Sequence, residues 1–215
     1  MSDASRVSDV PRVSDQLPRL IEGITGIILS GGKSSRYGMN KALASFNGTT
    51  IIERVVNVMT SVFHKTILIT NDPKEYAYLD LPVYQDIIKG IGPVGGIFTG
   101  LESMSDQRGF VVACDMPFLN PDLIRYMVSR KSGYDAVVPK VGWKIESLHA
   151  LYHRDCLCAI RENIKAGIYQ AIQFHIKVRT LYIQEPEIRK YDPELRSFYN
   201  INRPQELREA RELEV

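Results

Sequence analysis

The chain has 215 residues, of which 44% are hydrophobic and 24% are charged. This length suits one well-buried domain, and this composition excludes an intrinsically disordered chain. Lys and Arg number 27 against 25 Asp and Glu, for a net charge of +2, so no overall basic field indicates binding to nucleic acid or to an anionic membrane.

Cysteine usage and hydropathy indicate a cytoplasmic protein. The cysteines are Cys114, Cys156 and Cys158, and an odd count with a Cys-x-Cys spacing matches neither a zinc ribbon nor a redox Cys-x-x-Cys pair. No apolar run approaches the roughly 18 residues that a membrane helix needs, and the N-terminus lacks the basic and apolar regions of a signal peptide. We therefore expect reduced thiols and no membrane association.

Residues 1–21 differ from the rest of the chain. They contain Arg-Val-Ser-Asp at residues 6–9 and again at 12–15, and they show neither helical nor strand periodicity. We expect a flexible N-terminal extension over residues 1–21 and one folded domain over residues 22–215. A docking arm is the alternative interpretation of the extension.

From residue 26 onward, short apolar runs alternate with helix-like segments. In the first half these runs occupy residues 26–29, 66–70, 82–84 and 110–114. Runs that are apolar at successive positions are typical of strands buried on both faces, as in a parallel sheet covered by helices. The pattern thus predicts strands of a parallel sheet.

Helical patterns separate the strands. Residues 50–63 carry apolar side chains along one side, which predicts a helix that packs on the sheet. Asn120 followed by Pro121 is typical of a helix start. Later segments predict strands at 134–139, 147–152 and 177–183 and helices at 155–164 and 203–214. This alternation predicts an α/β fold, a single Rossmann-like three-layer α/β/α domain with a mostly parallel central sheet.

The segment Leu29-Ser-Gly-Gly-Lys-Ser-Ser-Arg-Tyr-Gly-Met-Asn-Lys41 looks like a phosphate-binding loop after the first strand. The Walker motif requires Gly five residues before the Gly-Lys pair, and that position is Ile27. The dinucleotide fingerprint fails too, because the glycines stand at 31, 32 and 38. Paired glycines beside Lys33, Arg36 and Lys41 still suit a polyphosphate, with a solvated glycine turn as the alternative.

Several motifs, taken together in their order and spacing, resemble a known family. They are Leu29-x-Gly-Gly-x-x-x-Arg-x-Gly-x-x-Lys41, Thr70-Asn-Asp, Gln85-Asp, Gly92-Pro-Val-Gly-Gly-Ile97, Ala113-Cys-Asp-Met-Pro117, Leu148-His-Ala-Leu-Tyr152 and Tyr199-Asn-Ile-Asn-Arg-Pro204. From about residue 25 to residue 207 the chain resembles the molybdenum cofactor guanylyltransferases (MobA) of the MobA-like nucleotidyltransferase superfamily. The resemblance implies the nucleotide-diphospho-sugar transferase fold and Mg²⁺-dependent transfer of GMP from GTP to molybdopterin, with release of pyrophosphate.

The resemblance also implies the site residues. Asp115 would bind Mg²⁺, which suits a carboxylate just beyond a buried strand. Arg36 and Lys41 would act with Asp115 in catalysis by holding the β- and γ-phosphates. The nucleotide site would comprise Leu29, Ser30, Gly31, Gly32, Lys41, Asn71, Asp86, Gly92, Pro93, Gly95 and Asp115. Asn200 and Asn202 are candidates for contact with the metal or the second substrate.

The nucleotide base and the acceptor are less constrained. A carboxylate at Asp86 could accept two N–H bonds from guanine, whereas cytosine offers no such adjacent pair of donors, so GTP is mildly favoured over CTP. Candidate acceptor residues are Lys140, Trp143, Lys144, His149 and Arg179, for each of which a solvated surface is an equal alternative. We interpret His149 as a strand histidine with satisfied hydrogen bonds rather than as a base.

Two alternative functions stay open. One is a cytidylyltransferase that acts on molybdopterin or another phosphorylated small molecule, and the other is a non-catalytic nucleotide-binding protein of the same fold. The chain also departs from the family pattern at Ser147, where the family has Pro, and at Arg203, where it has Thr. The family suggests GTP and molybdopterin as substrates and transient contacts with proteins of molybdenum cofactor biosynthesis.

Overall fold

A central eight-stranded sheet forms the middle layer of the computed structural model, which describes residues 19–31 and 40–213. The strands are β1 (Ile21–Ser30), β2 (Ser45–Phe46), β3 (Thr49–Thr50), β4 (Phe63–Thr70), β5 (Val83–Tyr84), β6 (Arg108–Ala113), β7 (Ala136–Val141), β8 (Lys144–Ile145), β9 (His149–His153) and β10 (Thr180–Gln184). Strands β2 and β3 form a separate antiparallel pair. The apolar runs of the sequence are therefore the strands of the sheet.

Helices cover both faces of the sheet. They are α1 (Ile51–Val62), α2 (Pro93–Ser103), α3 (Pro121–Ser129), α4 (Cys156–Lys165), α5 (Ile172–His175), α6 (Glu185–Ile188) and α7 (Pro204–Glu212). Short 3₁₀ segments span Lys41–Leu43, Pro73–Leu79 and Arg196–Phe198. One apolar cluster joins α1 and α3 to the sheet, and a second joins α2 and α4 to the opposite face. The three α/β/α layers confirm the predicted fold.

The direction of the strands determines where polar ends meet. The strand order is β10-β7-β9-β6-β1-β4-β5, and β8 pairs with β7. Strand β1 is parallel to β4 and β6, β4 is parallel to β5, and β7 is parallel to β10. Only β9, among the strands that lie on this path, runs antiparallel to its neighbours. The carboxyl ends of β1, β4, β5, β6 and β7 consequently share one edge of the sheet.

The two helices that the sequence predicted most sharply begin as expected. The Thr50 hydroxyl accepts a hydrogen bond from the Glu53 backbone N–H, and the Glu53 carboxylate accepts one from the Thr50 N–H at 2.6 Å, which forms a capping box for α1. The Asn120 side chain accepts from the backbone N–H groups of Asp122 and Leu123 and so caps α3. Both starts are local interactions, so the sequence pattern is sufficient to predict them.

Strand boundaries differ from the predicted ones where pairing is irregular. Strand β1 begins at Ile21, five residues before the predicted start, and its register with β4 shifts between Ile21 and Thr25. Strand β10 begins at Thr180 rather than 177, because the backbone N–H groups of Lys177 and Val178 form turn bonds to the carbonyls of Phe174 and His175 at the end of α5. Residues 1–18 of the segment predicted as an extension lie outside the described residues.

A small third apolar cluster packs helix α7 against the β2–β3 pair and the start of α1. It consists of Phe46, Ile51, Ile201, Leu207 and Ala210, all buried. The cluster places the start of α7 beside the β2–β3 pair. Residues near 41 and near 202 therefore become neighbours, although 161 positions separate them in sequence.

Ile27 occupies a slot between two glycines that the sequence alone did not explain. A Cβ on Gly100 of α2 would lie 2.6 Å from Ile27 Cγ2, and a Cβ on Gly109 of β6 would overlap Ile27 Cδ1. Because Ile27 is fully buried, it has no free space to move into. We expect Gly109→Ala to lower the free energy of unfolding by about 2 kcal/mol, measured by urea denaturation.

A double-mutant cycle tests the cause of that loss. Ile27→Val removes Cδ1, the atom that a Cβ on Gly109 would overlap. In the Ile27→Val background, Gly109→Ala should therefore cost less than in the wild-type protein. Simple additivity of the two changes would contradict the slot as the reason for this glycine.

Membrane insertion finds no support among the described helices. None of them has both the length and the apolar character that crossing a bilayer requires.

Candidate active site

Three polar side chains from distant parts of the chain meet at the carboxyl edge of the sheet. The Lys41 ammonium donates to Asp115 Oδ2 at 2.5 Å and to Asn202 Oδ1 at 2.9 Å. In open α/β sheets this edge is where ligands bind. The structure thus brings together three residues that the sequence predicted for the site.

Each of the three residues is placed by a defined element. Lys41 begins a 3₁₀ turn that Asn40 caps by accepting from the Ala42 N–H at 3.2 Å. Asp115 stands two residues beyond β6. The pairing of β6 with β1 extends past the end of β6, because the Cys114 N–H donates to the Leu29 carbonyl at 3.0 Å. The site is therefore built on the central strands of the sheet.

Asn202 is held by backbone contacts on both sides. The Ile201 N–H donates to the Asp115 carbonyl at 2.9 Å, and Ile201 is itself fully buried. The Glu206 carboxylate accepts from the backbone N–H groups of Asn202 and Arg203, which caps α7. The Asn200 side chain is half-buried and has no bond to Lys41 in the described site. Of the two predicted asparagines, Asn202 is the one that contacts the lysine.

The Asp115 carboxylate has one oxygen engaged and one available. Oδ2 accepts from Lys41, whereas Oδ1 is buried and has no hydrogen-bond partner among the described groups. A buried carboxylate oxygen without a partner is unfavourable, so a ligand at this position would stabilise it. Together with the amide oxygen of Asn202, it offers the oxygen donors that a hard divalent cation prefers. The residues present thus fit a Mg²⁺ ion.

Cys114, next to Asp115, does not supply a thiolate. Burial first, and the neighbouring Asp115 charge second, raise the pKa of the Cys114 thiol to about 11. The thiol is therefore protonated at neutral pH, so it is neither a nucleophile nor a soft metal ligand. This agrees with the interpretation of the cysteines as structural thiols.

Asn71 and Asp86 meet beyond the ends of β4 and β5. The Asn71 amide donates to Asp86 Oδ2 at 2.7 Å, and the Gln85 amide donates to the Asn71 carbonyl at 3.2 Å. The Asn71 side-chain oxygen is buried without a partner among the described groups. The pair therefore has an unused acceptor, while one oxygen of Asp86 is already engaged.

Gly92, Pro93 and Gly95 form the first turn of α2. Gly92 has φ +67° and precedes Pro93 at the first helical position, and the Gly95 N–H donates to the Gly92 carbonyl at 3.0 Å. A Cβ on Gly95 would lie 2.9 Å from the Ile88 carbonyl oxygen, so this glycine permits close packing of the preceding loop. The helix follows β5 and so begins at the same edge as Asp115.

Leu29, Ser30 and Gly31 end the first strand. The Leu29 side chain is buried under α2, and the Ser30 hydroxyl lies 2.6 Å from the Tyr76 hydroxyl. Gly31 is exposed. Gly32 and Arg36, which the sequence also predicted for the site, lie outside the described residues.

Tyr76 and Glu206 contact the site residues but were missed by sequence reasoning. The cap at Asn40 could have been found from the sequence, because an Asn directly before a short turn is a common cap. The sequence offered no comparable signal for Tyr76, whose hydroxyl contacts depend on how the Pro73–Leu79 turn packs.

The residues suggested for the acceptor do not form one cluster. Trp143 lies at the tip of the β7–β8 hairpin and is 94% exposed, and Lys144 there pairs with Glu146 at 2.7 Å. His149 is fully buried in β9. Arg179 pairs with Asp135 at the opposite edge of the sheet. Of these residues, Trp143 and Lys144 at the hairpin tip lie at the carboxyl end of β7, which is the edge of the sheet that carries the candidate site.

A group of potential metal ligands lies at the amino edge of β6 and β7. Ligand atoms of Asp135, His153 and Asp155 are all within 4.8 Å of one another. However, the Asp135 carboxylate accepts from Arg179 Nε at 3.0 Å and Nη2 at 2.7 Å, and these bonds lower its pKa. Both oxygens of Asp135 are engaged by a cation already, so the group acts as an ion-pair cluster.

A shallow cavity of about 450 Å³ opens at the amino ends of β1, β4 and β5. Its lining includes Leu20, Phe63, Leu81 and Met104. None of the residues predicted for the nucleotide site lies in it. Its position, at the edge opposite Asp115, separates it from the chemistry described above.

Comparison with known proteins agrees with this geometry. A family model described as the MobA-like NTP transferase domain matches residues 26–179. A "probable molybdenum cofactor guanylyltransferase" from Pelotomaculum thermopropionicum is 38% identical over 187 residues, which cover 87% of this chain and 91% of that protein. A molybdenum cofactor guanylyltransferase from Desulfosudis oleivorans is 36% identical over 194 residues, 88% of this chain and 95% of that protein.

A solved structure is similar over the same length. The crystal structure of molybdopterin-guanine dinucleotide biosynthesis protein A from Archaeoglobus fulgidus superposes with a TM-score of 0.77 and is 29% identical. The match covers 88% of this chain and 97% of that chain. The structural similarity therefore extends over most of this chain and nearly all of that chain.

Proposed function

The chain belongs to the MobA-like NTP transferase family, and we propose that it transfers GMP from GTP to molybdopterin and releases pyrophosphate. The names of its relatives support this substrate pair. The observation that carries the proposal is the contact of Lys41 with Asp115 and Asn202 at the carboxyl edge of the sheet. This arrangement provides a cation and an oxygen-donor group where a triphosphate would lie.

In the proposed reaction, the molybdopterin phosphate attacks the α-phosphorus of GTP in line. A bond forms between the α-phosphorus and an oxygen of the molybdopterin phosphate. The bond between the α-phosphorus and the oxygen that bridges to the β-phosphorus breaks, and pyrophosphate leaves with that oxygen. Such a step depends on positioning and charge neutralisation rather than on a protein nucleophile. Lys41 would exchange its bonds to Asp115 and Asn202 for bonds to the β- and γ-phosphates, and Arg36 would assist it.

We propose that Asp115 binds the catalytic Mg²⁺ through its carboxylate, with the Asn202 amide oxygen nearby. When bound, the ion would neutralise charge on the phosphates and help to orient them. The Oδ1 atom supports this role, because it is buried without a hydrogen-bond partner among the described groups and a bound ion would satisfy it. Lys41 keeps the carboxylate oriented until the substrate enters.

We propose that the base and ribose bind between the Asn71–Asp86 pair and the first turn of α2. Asp86 can accept from a donor on the guanine edge, and the Asn71 side-chain oxygen, which has no partner among the described groups, can accept from another donor. Gly92 and Pro93 would form the adjacent wall. In this proposal the reaction takes place in the cytoplasm, in a domain that spans residues 22–215.

Nucleotide selection tests the proposed function. With purified molybdopterin and Mg²⁺, we expect pyrophosphate release with GTP at least about 100-fold faster, in kcat/KM, than with CTP, ATP or UTP. Two bonded donors on one base edge are the reason for this preference. The measurement is a coupled pyrophosphate assay in which each nucleotide is varied at saturating molybdopterin.

Other outcomes of this assay separate the alternatives. A preference for CTP would keep the transfer chemistry and overturn the base assignment. Release of phosphate from GTP without molybdopterin would indicate an NTPase. Folded protein that binds GTP without turnover would indicate a nucleotide-binding protein.

A further inference from the structure

We propose that the Tyr76 hydroxyl is a positioning group for the nucleotide site, because it ties the end of β1 to the turn that carries Lys41. The Tyr76 oxygen lies 2.6 Å from Ser30 Oγ and 2.7 Å from Asn40 Nδ2. Tyr76 does not contact Lys41 or Asp115 itself. This inference rests on the proposed function, which assigns Lys41 to the phosphates.

The hydrogen-bond directions around Tyr76 follow from the donors available. The Asn40 amide nitrogen can only donate, so the phenol oxygen accepts from it, whereas either hydroxyl can donate in the bond between Tyr76 and Ser30. The Tyr76 side chain is only 2% exposed and packs in the cluster that joins α1 to the sheet. Burial raises the pKa of the phenol to about 12, so Tyr76 keeps its proton at physiological pH. The phenol is thus a rigid bridge with both partners defined.

One end of the bridge acts on Lys41. The Asn40 side chain donates to Tyr76 and to the Glu75 carboxylate, and its oxygen accepts from the Ala42 N–H. These bonds fix the residue directly before Lys41 and cap the turn on which Lys41 stands. Loss of the phenol bond would leave the turn held by fewer contacts, and the ammonium would be less well placed for phosphate oxygens.

The other end acts on the strand beside Asp115. Ser30 is the last residue of β1, and the carbonyl of Leu29 before it accepts from the Cys114 N–H at 3.0 Å. Asp115 follows Cys114 directly. The phenol is therefore linked by short chains of bonds to both the cation and the carboxylate of the site.

The test is Tyr76→Phe, which removes one oxygen and keeps the buried ring. We expect the KM and the Kd for Mg²⁺–GTP to rise about tenfold, while kcat falls less. Binding is measured as the nucleotide-induced rise in melting temperature and by titration calorimetry. The matched control is Tyr78→Phe, since Tyr78 lies on the same turn, is 53% exposed and should leave KM unchanged.

A double-mutant cycle separates positioning from general destabilisation. Asn40→Ala removes the partner of the phenol, so combining it with Tyr76→Phe should raise KM by clearly less than the product of the two single effects. If Tyr76→Phe fails to fold, Ser30→Ala removes the other bond and should raise KM about threefold.

The outcomes distinguish this inference from the function on which it rests. Wild-type protein that binds GTP, together with a Tyr76→Phe protein that binds it equally well at a lower melting temperature, would overturn the positioning role alone. Wild-type protein that does not bind Mg²⁺–GTP would overturn both. A rise in KM at an unchanged melting temperature of the free protein supports the inference.

Discussion

We expect Asp115→Asn to lower kcat/KM for GTP by about a thousandfold or more. The substitution keeps the shape of the side chain but replaces a charged oxygen with an amide. It removes the negative charge that would bind the metal, and it weakens the 2.5 Å contact that orients Lys41. Two functions of the site are thus lost in one change, which is why this variant should have the largest effect.

The measurement is the rate of pyrophosphate release over a range of Mg²⁺ concentrations. Wild-type activity should saturate with Mg²⁺, and the residual activity of Asp115→Asn should need much more of the ion. Asp80→Asn is the matched control, because Asp80 is exposed and has φ +51°, a conformation that Asn tolerates well. The control should retain wild-type kinetics.

A Mg²⁺ concentration dependence unchanged from that of the wild type would contradict the role given to Asp115. If Asp115→Asn lost activity but kept the wild-type Mg²⁺ curve, the carboxylate would serve Lys41 rather than the ion. Urea denaturation of the variant should show a free energy of unfolding close to that of the wild type, because the side chain lies at the edge of the sheet and not in its core.

The fold could be predicted where the information is local. Runs such as residues 110–114 are buried on both faces, and α1 and α3 carry their own caps, so both element types are readable from short segments. Strand β9 was predicted as a strand, but its antiparallel insertion between β6 and β7 was not. The choice of neighbouring strands depends on contacts between residues far apart in sequence, so a short segment does not predict it.

The site could be predicted in part for a similar reason. Lys41, Asp115 and Asn202 were identified by their motifs, and the structure places them in contact. The supporting contacts, of Tyr76 with Asn40 and of Glu206 with Asn202, arise only when separate elements pack together. A motif therefore indicates candidate site residues, but not the neighbours that contact them.

The prediction for His149 was correct about the strand and wrong about the hydrogen bonds. His149 is a buried strand residue, as expected, but neither ring nitrogen has a hydrogen-bond partner among the described groups. The ring instead packs edge-on against Phe110 and Phe198, with centroids 5.3 Å and 5.2 Å away. The alternating pattern of β9 determines that the side chain points into the core, and it gives no information about whether a polar partner is there.

This environment makes stability depend on pH. Burial lowers the pKa of His149 from 6.5 to about 4, and the charge of Asp192 opposes the shift only partly. Between these two values the unfolded chain binds a proton that the folded protein does not, so the free energy of unfolding falls as pH drops from about 6.5 to about 4. His175, whose pKa burial also lowers to about 4, adds to the same loss.

We expect His149→Phe to remove about half of this acid sensitivity. At neutral pH the variant should be at least as stable as the wild type, because an aromatic ring replaces a ring whose two nitrogens have no partner among the described groups. At pH 5 its advantage should grow by about 2 kcal/mol, since the wild type alone carries the cost of keeping His149 neutral. Urea denaturation at several pH values between 4.5 and 7.5 measures both quantities.

The comparison that decides the cause is between slopes rather than between stabilities. If His149→Phe raised stability equally at every pH, the gain would come from apolar packing against Phe110 and Phe198 alone. A smaller slope for His149→Phe than for the wild type identifies the neutral, buried imidazole as the source, because only a group that titrates differently in the two states can change that slope.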